Sequence, residues 1–254
     1  MRISTVVGFI LILAAPALFA AEGCVTYNYC QNWTGTCETG NFQSPIANNA
    51  RDRTAGTNLG PIGHYTETQP LPVTIKNTGT TVKVEPGGAR NVFLMYDGKR
   101  LRLDEFHFHT PAEHKLDVWL VPCHNFAVAE LHLVHRDPAG KTVVVAVPIY
   151  LGASNAGLAA LKAAGHLPTN CNPITHTLLP AALAALLPTV TGRYITYEGS
   201  LTTPGCDQGV TFLLLNDGIS ATQAELDYIK VVYNARPVQH NPNSVTFRVA
   251  KTGE

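Results

Sequence analysis

Apolar and polar residues alternate with a period of two over much of this chain, the repeat expected of strands with one buried face. PVTIKN (72–77), TVKVEP (81–86) and VFLMYDGKRLRL (92–103) read as strands cut by turn residues, and Asp97-Gly98 marks a hairpin. Gly87-Gly88 marks a further turn. The continuous apolar run VVVAVPIYL (143–151) has strand length and predicts a buried central strand. Helical spacing is confined to 154–164 and 220–232, with Ser154 and Ser220 as N-caps and Gly165 as a stop, and to a short Ala/Leu-rich stretch at 180–187. No repeat and no linker-like change of composition interrupts these elements. They predict one domain around a large sheet.

Two of the alternating segments carry chemistry. In LDEFHFHTPAEH (103–114) an extended backbone turns His107 and His109 to one side and Phe106 and Phe108 to the other. In VAELHLVH (128–135) the same rule pairs Glu130 with His132 on one face and Leu131 with Leu133 on the opposite one. If the two strands are neighbours, three neutral imidazoles converge on one ion. Three His ligands leave a fourth tetrahedral position open, as a catalytic zinc requires and a closed structural site does not.

The N-terminus changes the picture in one respect. Residues 1–21 hold one early charge, Arg2, then an apolar run broken by Pro16 and ending in small residues, the form of a secretory signal peptide. The remaining chain, 24–254, is expected to be soluble, exported to the periplasm or beyond, and large enough for a single β-rich core. Lys+Arg and Asp+Glu are both 18, and no basic stripe or acidic tail points to nucleic acid. Six Cys in an exported chain form an even set that pairs in an oxidising compartment, with the connectivity left open by spacing alone. No CxxC pair offers a structural zinc site. Asn32-Trp33-Thr34 is a glycosylation sequon, meaningful only if a eukaryote secretes the chain.

QSPI (43–46), EFHFHTPAEH (105–114), AELHLVH (129–135), GSLTTPGC (199–206) and NARPVQ (234–239) together resemble the α-class carbonic anhydrases, in the family's order and over nearly the whole mature chain. The resemblance implies an α+β, mainly β domain with a large, mostly antiparallel central sheet and a few short peripheral helices. It implies a lyase that binds Zn2+ through His107, His109 and His132 and interconverts carbon dioxide and bicarbonate, with no nucleic-acid or membrane partner. Thr202 and Glu113 match the pair that orients the zinc-bound hydroxide, with Glu113 ionised and taking the Thr202 proton. Glu130, Glu105 and Asn234 match residues that support the ligands. Val134, Leu201, Val210 and Phe212 match the apolar pocket for carbon dioxide. The family's bacterial-type members imply a Cys37–Cys206 disulfide; Cys24 with Cys30, and Cys123 with Cys171, are then left to each other.

Several positions depart from the family's pattern. Glu105 stands where a glutamine is usual, and a carboxylate there is the stronger acceptor for an imidazole N–H. Phe212 stands where Trp is common. Gly205 replaces a frequent Pro, which removes an X–Pro cis bond at that position, whereas Pro45 remains a candidate for one. Thr80 occupies the place of the proton-relaying His, and Lys83 replaces a residue that is often neutral. Two rival readings follow from the same residues: a non-catalytic binding or adhesion domain of this family, and a cupin-type site in which HFHTPAE supplies Glu113 as a direct ligand.

Overall fold

The computed structural model describes residues 33–48, 53–55, 62–64, 69–87, 92–116, 127–169, 171–188, 193–242 and 245–248. In chain order the elements are α1 (Thr36–Thr39), β1 (Ala47–Asn48), β2 (Arg53–Ala55), β3 (Gly63–His64), β4 (Leu71–Asn77), β5 (Val82–Pro86), β6 (Phe93–Tyr96) and β7 (Lys99–His109). They continue with β8 (Lys115–Leu116), β9 (Ala129–Arg136), β10 (Thr142–Leu151), α2 (Ala156–Ala163), β11 (Ile174–Leu178) and α3 (Pro180–Ala185). The last are β12 (Tyr194–Ser200), β13 (Gln208–Leu215), β14 (Ile219–Ala221), α4 (Gln223–Ile229) and β15 (Val245–Arg248). The signal segment, the Cys24–Cys30 pairing, Cys123, Asn32 and Gly88 lie outside the described residues.

The main sheet runs β11-β4-β5-β7-β9-β10-β13-β12-β15-β2, with four short helices at its periphery among the described residues, the expected mainly β architecture. From β11 to β10 every neighbour is antiparallel. Beyond β10 the sheet is mixed, because β13 runs parallel to β10 and β2 parallel to β15. The strand predicted at 143–151 is β10, between β9 and β13 near the middle of the sheet. The Asp97-Gly98 hairpin joins β6 to β7 with positive φ at both residues, the backbone that this dipeptide favours.

Alternation distributes the core over two faces. Phe106, Phe108, Leu131, Leu133, Val145 and Leu213 point to the face covered by Leu158, Leu161, Leu183 and Ile229 of the helices. Val134, Val144, Ala146, Val210, Phe212 and Leu214 occupy the opposite face with Ile195 and Tyr197 of β12. The two Phe rings beside the histidines are fully buried and meet edge to face at 6.2 Å. Burial of each contributes about 1.5–3 kcal/mol, so the strand that carries the imidazoles is anchored from behind.

Two helix starts differ from expectation. The cap of α2 is Asn155, whose side chain accepts from the Gly157 and Leu158 N–H groups, and α4 is capped by Thr222 in a capping box with Glu225. Ser154 instead donates its hydroxyl to buried Glu225, and Ser220 is drawn into β14 beside β10. A contact between helices and a strand pairing, both distant in sequence, override the local cap signal. The stop at Gly165 has φ +97, a conformation suited to glycine.

Cys37 and Cys206 are bonded across a sequence separation of 169. Cys171 is also disulfide-bonded. Beside the first bridge, the buried Arg236 guanidinium donates to Cys37 O (3.0 Å), Ser44 O (2.7 Å) and Gln43 Oε1 (2.9 Å), fastening the N-terminal segment to the loop that follows α4. Gly205, next to the bridge, has φ +104, which a proline ring fixed near −65° cannot adopt. Closing so long a loop restricts the unfolded chain, so reduction of the protein, or Cys37→Ser with Cys206→Ser, is expected to lower stability by about 2–5 kcal/mol in urea titration. An unchanged midpoint would contradict that role.

Candidate metal centre

The β7–β9 register places His107 directly opposite His132 and His109 opposite Glu130. Residues opposite one another in an antiparallel pair share a face. The nitrogens of His107, His109 and His132 accordingly lie within 4.8 Å of one another.

Each ring is held by its other nitrogen. His107 Nδ1 faces both oxygens of Glu105 at 3.0 Å. His109 Nδ1 lies 3.0 Å from the Asn234 carbonyl oxygen, and His132 Nε2 lies 2.6 Å from Glu130 Oε1. A carbonyl or carboxylate oxygen can only accept, so these three nitrogens carry the protons. The lone pairs are therefore left on His107 Nε2, His109 Nε2 and His132 Nδ1, and the first two approach to 3.1 Å. Three lone pairs aimed into one space fit a cation and nothing electronegative. Burial, reinforced by the neighbouring imidazoles, holds the pKa of His109 well below its ordinary value. Burial also depresses His132, against the opposing pull of Glu130. Both rings are thereby kept neutral, as ligands must be.

The supports are themselves tied down. Asn234 donates from Nδ2 to Phe108 O (2.8 Å) and accepts the Thr110 N–H at 2.7 Å, fixing the end of β7. Thr81, just ahead of β5, clamps Phe108, donating to Phe108 O at 2.6 Å and accepting the Phe108 N–H at 3.1 Å. Burial alone would raise the Glu130 pKa, but His114 and His132 outweigh it and hold this carboxylate well below the usual range. Glu130 accepts the His114 N–H at 2.9 Å and faces His114 Nδ1 at 2.6 Å, and His114 Nε2 meets the Tyr197 hydroxyl at 2.7 Å. The chain ends on Ser44, whose hydroxyl lies 2.8 Å from Tyr197. His114 ends the EFHFHTPAEH stretch, yet only β12, distant in sequence, reveals what its ring does. The role of Tyr197 has no local signal at all.

Glu113 is fully buried, its Oε1 accepts the Arg236 N–H at 2.8 Å, and Oε1 lies 3.3 Å from His109 Nδ1. It approaches the outward nitrogen of His109, not the side where the three lone pairs meet, and the three-histidine group does not include it. The cupin-type arrangement is therefore not the one these residues form. Burial pushes the Glu113 pKa well above the carboxylate range, although the Thr202 hydroxyl and the Arg236 N–H pull it down. Among the described residues, Glu113 Oε2 is buried without a hydrogen-bond partner of ordinary geometry. The expected ionised form is thus opposed by burial in the protein alone, and a cation held among the histidines would shift the balance back toward it.

Val134, Val210 and Phe212 are buried in one apolar cluster, with Leu201 packed against it. The Phe212 ring lies 5.8 Å from that of His132 and stacks on Tyr197 at 5.2 Å. The metal centre therefore has an apolar wall on its β10–β13 side.

A single-domain, sheet-built enzyme with an open three-histidine centre and an adjoining apolar wall is the class that this geometry defines. The eukaryotic-type carbonic anhydrase family model matches residues 28–251. A carbonic anhydrase of Klebsiella pneumoniae is 34% identical over 208 residues, 80% of this chain and 78% of that one. The α-carbonic anhydrase of Photobacterium profundum superposes with a TM-score of 0.68 at 30% identity, covering 83% of this chain and 91% of that one. That of Thermovibrio ammonificans, solved with the inhibitor sulfanilamide, gives 0.67 at 30% identity over 83% and 89%. This chain belongs to the α-class, eukaryotic-type carbonic anhydrase family, and its activity is the reversible hydration of carbon dioxide.

Thr80, which the family resemblance would put where a proton-relaying His is usual, is buried, with its hydroxyl 3.1 Å from that of Thr78. It cannot titrate near neutrality. His114 has both nitrogens engaged in the Glu130–Tyr197 chain and is not free to relay either. Turnover is therefore expected to rise with the concentration of a small imidazole buffer and then saturate, in stopped-flow hydration. A high rate independent of buffer would show that another group already carries the proton.

Proposed function

We propose that His107, His109 and His132 hold zinc and that carbon dioxide is hydrated there. The convergence of three lone pairs, each set by an acceptor on the opposite ring nitrogen, is the observation that supports this most directly. Three imidazoles suit zinc, which in a catalytic site takes three protein ligands and keeps a fourth position open. Bound zinc supplies the Lewis acidity that lets water lose a proton near pH 7, a magnitude (about 7) for which carbonic anhydrases are themselves the reference case.

The chain's own groups then do the rest. With Glu113 ionised, Thr202 would give its hydroxyl hydrogen bond to that carboxylate and be left only to accept, so it would orient an oxygen held at the centre toward the substrate carbon. Val134, Leu201, Val210 and Phe212 offer carbon dioxide a wall with no polar group to compete for it. Glu130, Glu105 and the Asn234 carbonyl keep the three rings in one tautomer and one orientation. The full ligand set favours the catalytic reading over a binding or adhesion domain.

The substrate pair is carbon dioxide and bicarbonate, with no nucleic-acid partner. Residues 1–21 act as an export signal, and 24–254 form the catalytic domain in the periplasm or outside the cell. The Cys37–Cys206 bridge supports an oxidising compartment. Among the described residues no helix is long and apolar enough to cross a membrane.

Replacing His132 by Ala tests the reading, because two imidazoles do not make the three-ligand catalytic arrangement. Hydration is expected to vanish and zinc content after dialysis to fall well below one per chain. Full zinc occupancy with near-normal activity in that variant would refute the assignment.

A further inference from the structure

Strand register sets one row of side chains across the sheet, and the row changes character at the metal centre. Lys76 on β4 is opposite Lys83 on β5, Lys83 is opposite His107 on β7, and His107 is opposite His132 on β9. The row continues through Ala146 on β10 and Leu214 on β13 to Ile195 on β12. In-register residues share a face, with Cβ atoms about 4.5–5.5 Å apart across each antiparallel pair. Two ammonium groups thus stand on one flank of the imidazoles and three apolar residues on the other. Alternation along β5 agrees: Val82 and Val84 are fully buried on the core side, whereas the Lys83 and Glu85 side chains keep 34% and 32% exposure.

The charges on this flank can be followed one by one. Glu85 bridges both lysines, Oε1 to Lys83 Nζ at 3.0 Å and Oε2 to Lys76 Nζ at 3.3 Å. Burial raises its pKa, but Lys83 and Lys76 prevail and hold it below the ordinary value, so Glu85 stands as one carboxylate between two basic side chains. Glu105 on β7 is the nearby carboxylate, and both of its oxygens are turned to His107 Nδ1 at 3.0 Å. An ammonium has three N–H donors, and Glu85 occupies one on each lysine. Donors therefore remain for another anion.

The reaction turns a neutral, apolar gas into an anion, and the two flanks match the two species. We propose that Lys83, backed by Lys76, is an anion-binding position beside the metal centre, which receives bicarbonate and for which other small monovalent anions compete. The proposal rests on the carbonic anhydrase reading of the same site. Lys76 lies one strand further out along the row, so product passes from the centre to Lys83 and then to Lys76. The role is one of product affinity and specificity.

The test uses the zinc-loaded enzyme at fixed ionic strength. Inhibition of carbon dioxide hydration by added bicarbonate and by iodide is measured for the wild type, Lys83→Gln, Lys83→Arg and Lys76→Gln. Half-inhibitory concentrations are expected to rise by roughly 2–5-fold in Lys83→Gln, the range for a partly exposed charge contact, and by less in Lys76→Gln. Lys83→Arg keeps the charge and is expected to stay near the wild type. Unchanged inhibition in Lys83→Gln, or an equal rise in Lys83→Arg, would overturn the proposal. A wild-type protein without hydration activity would instead overturn the reading on which it rests.

Discussion

The pairing of β7 with β9 is the constraint on which the rest depends. His107 faces His132 only in one register, and a slip of one residue would turn every side chain of a strand to the other face. The register is held from both sides of the sheet. Phe106, Phe108, Leu131 and Leu133 must reach the large core, while the three histidines and Glu130 must reach one another. The same alternation therefore fixes both the packing and the site, and either would be lost with the other.

Around that pair, the molecule spends its buried polar groups on position. Asn234 and Thr81 grip the end of β7, and Glu130 joins His132 to His114, Tyr197 and Ser44. Arg236 and the Cys37–Cys206 bridge then tie segments far apart in sequence to the loop that carries Thr202. A buried network of this kind is stable only when its donors and acceptors are matched, and so it also rejects alternative arrangements of the ligand strands.

Much of this was legible in the sequence because strands obey a local rule. HFHTPAEH and AELHLVH reveal which residues share a face, Asp97-Gly98 reveals its hairpin, and the apolar run at 143–151 reveals a buried strand. What was hidden lies in pairings between distant segments. The parallel partnership of β10 and β13, the roles of His114 and Tyr197, and the row from Lys76 to Ile195 exist only once the register is known. The caps of α2 and α4 escape the local reading for the same reason, since Glu225 draws Ser154 out of a capping role and pairing with β10 draws Ser220 into β14. Gly205 shows the reverse case, in which a departure from the family's pattern gains its explanation from a backbone angle.

X-ray absorption at the zinc edge of the purified protein addresses the central claim most directly. The account predicts one zinc per chain with three nitrogen scatterers at about 2.0–2.1 Å, a fourth light ligand and no sulfur. A sulfur shell, a ligand set with fewer than three imidazoles, or protein that takes up no zinc would contradict it.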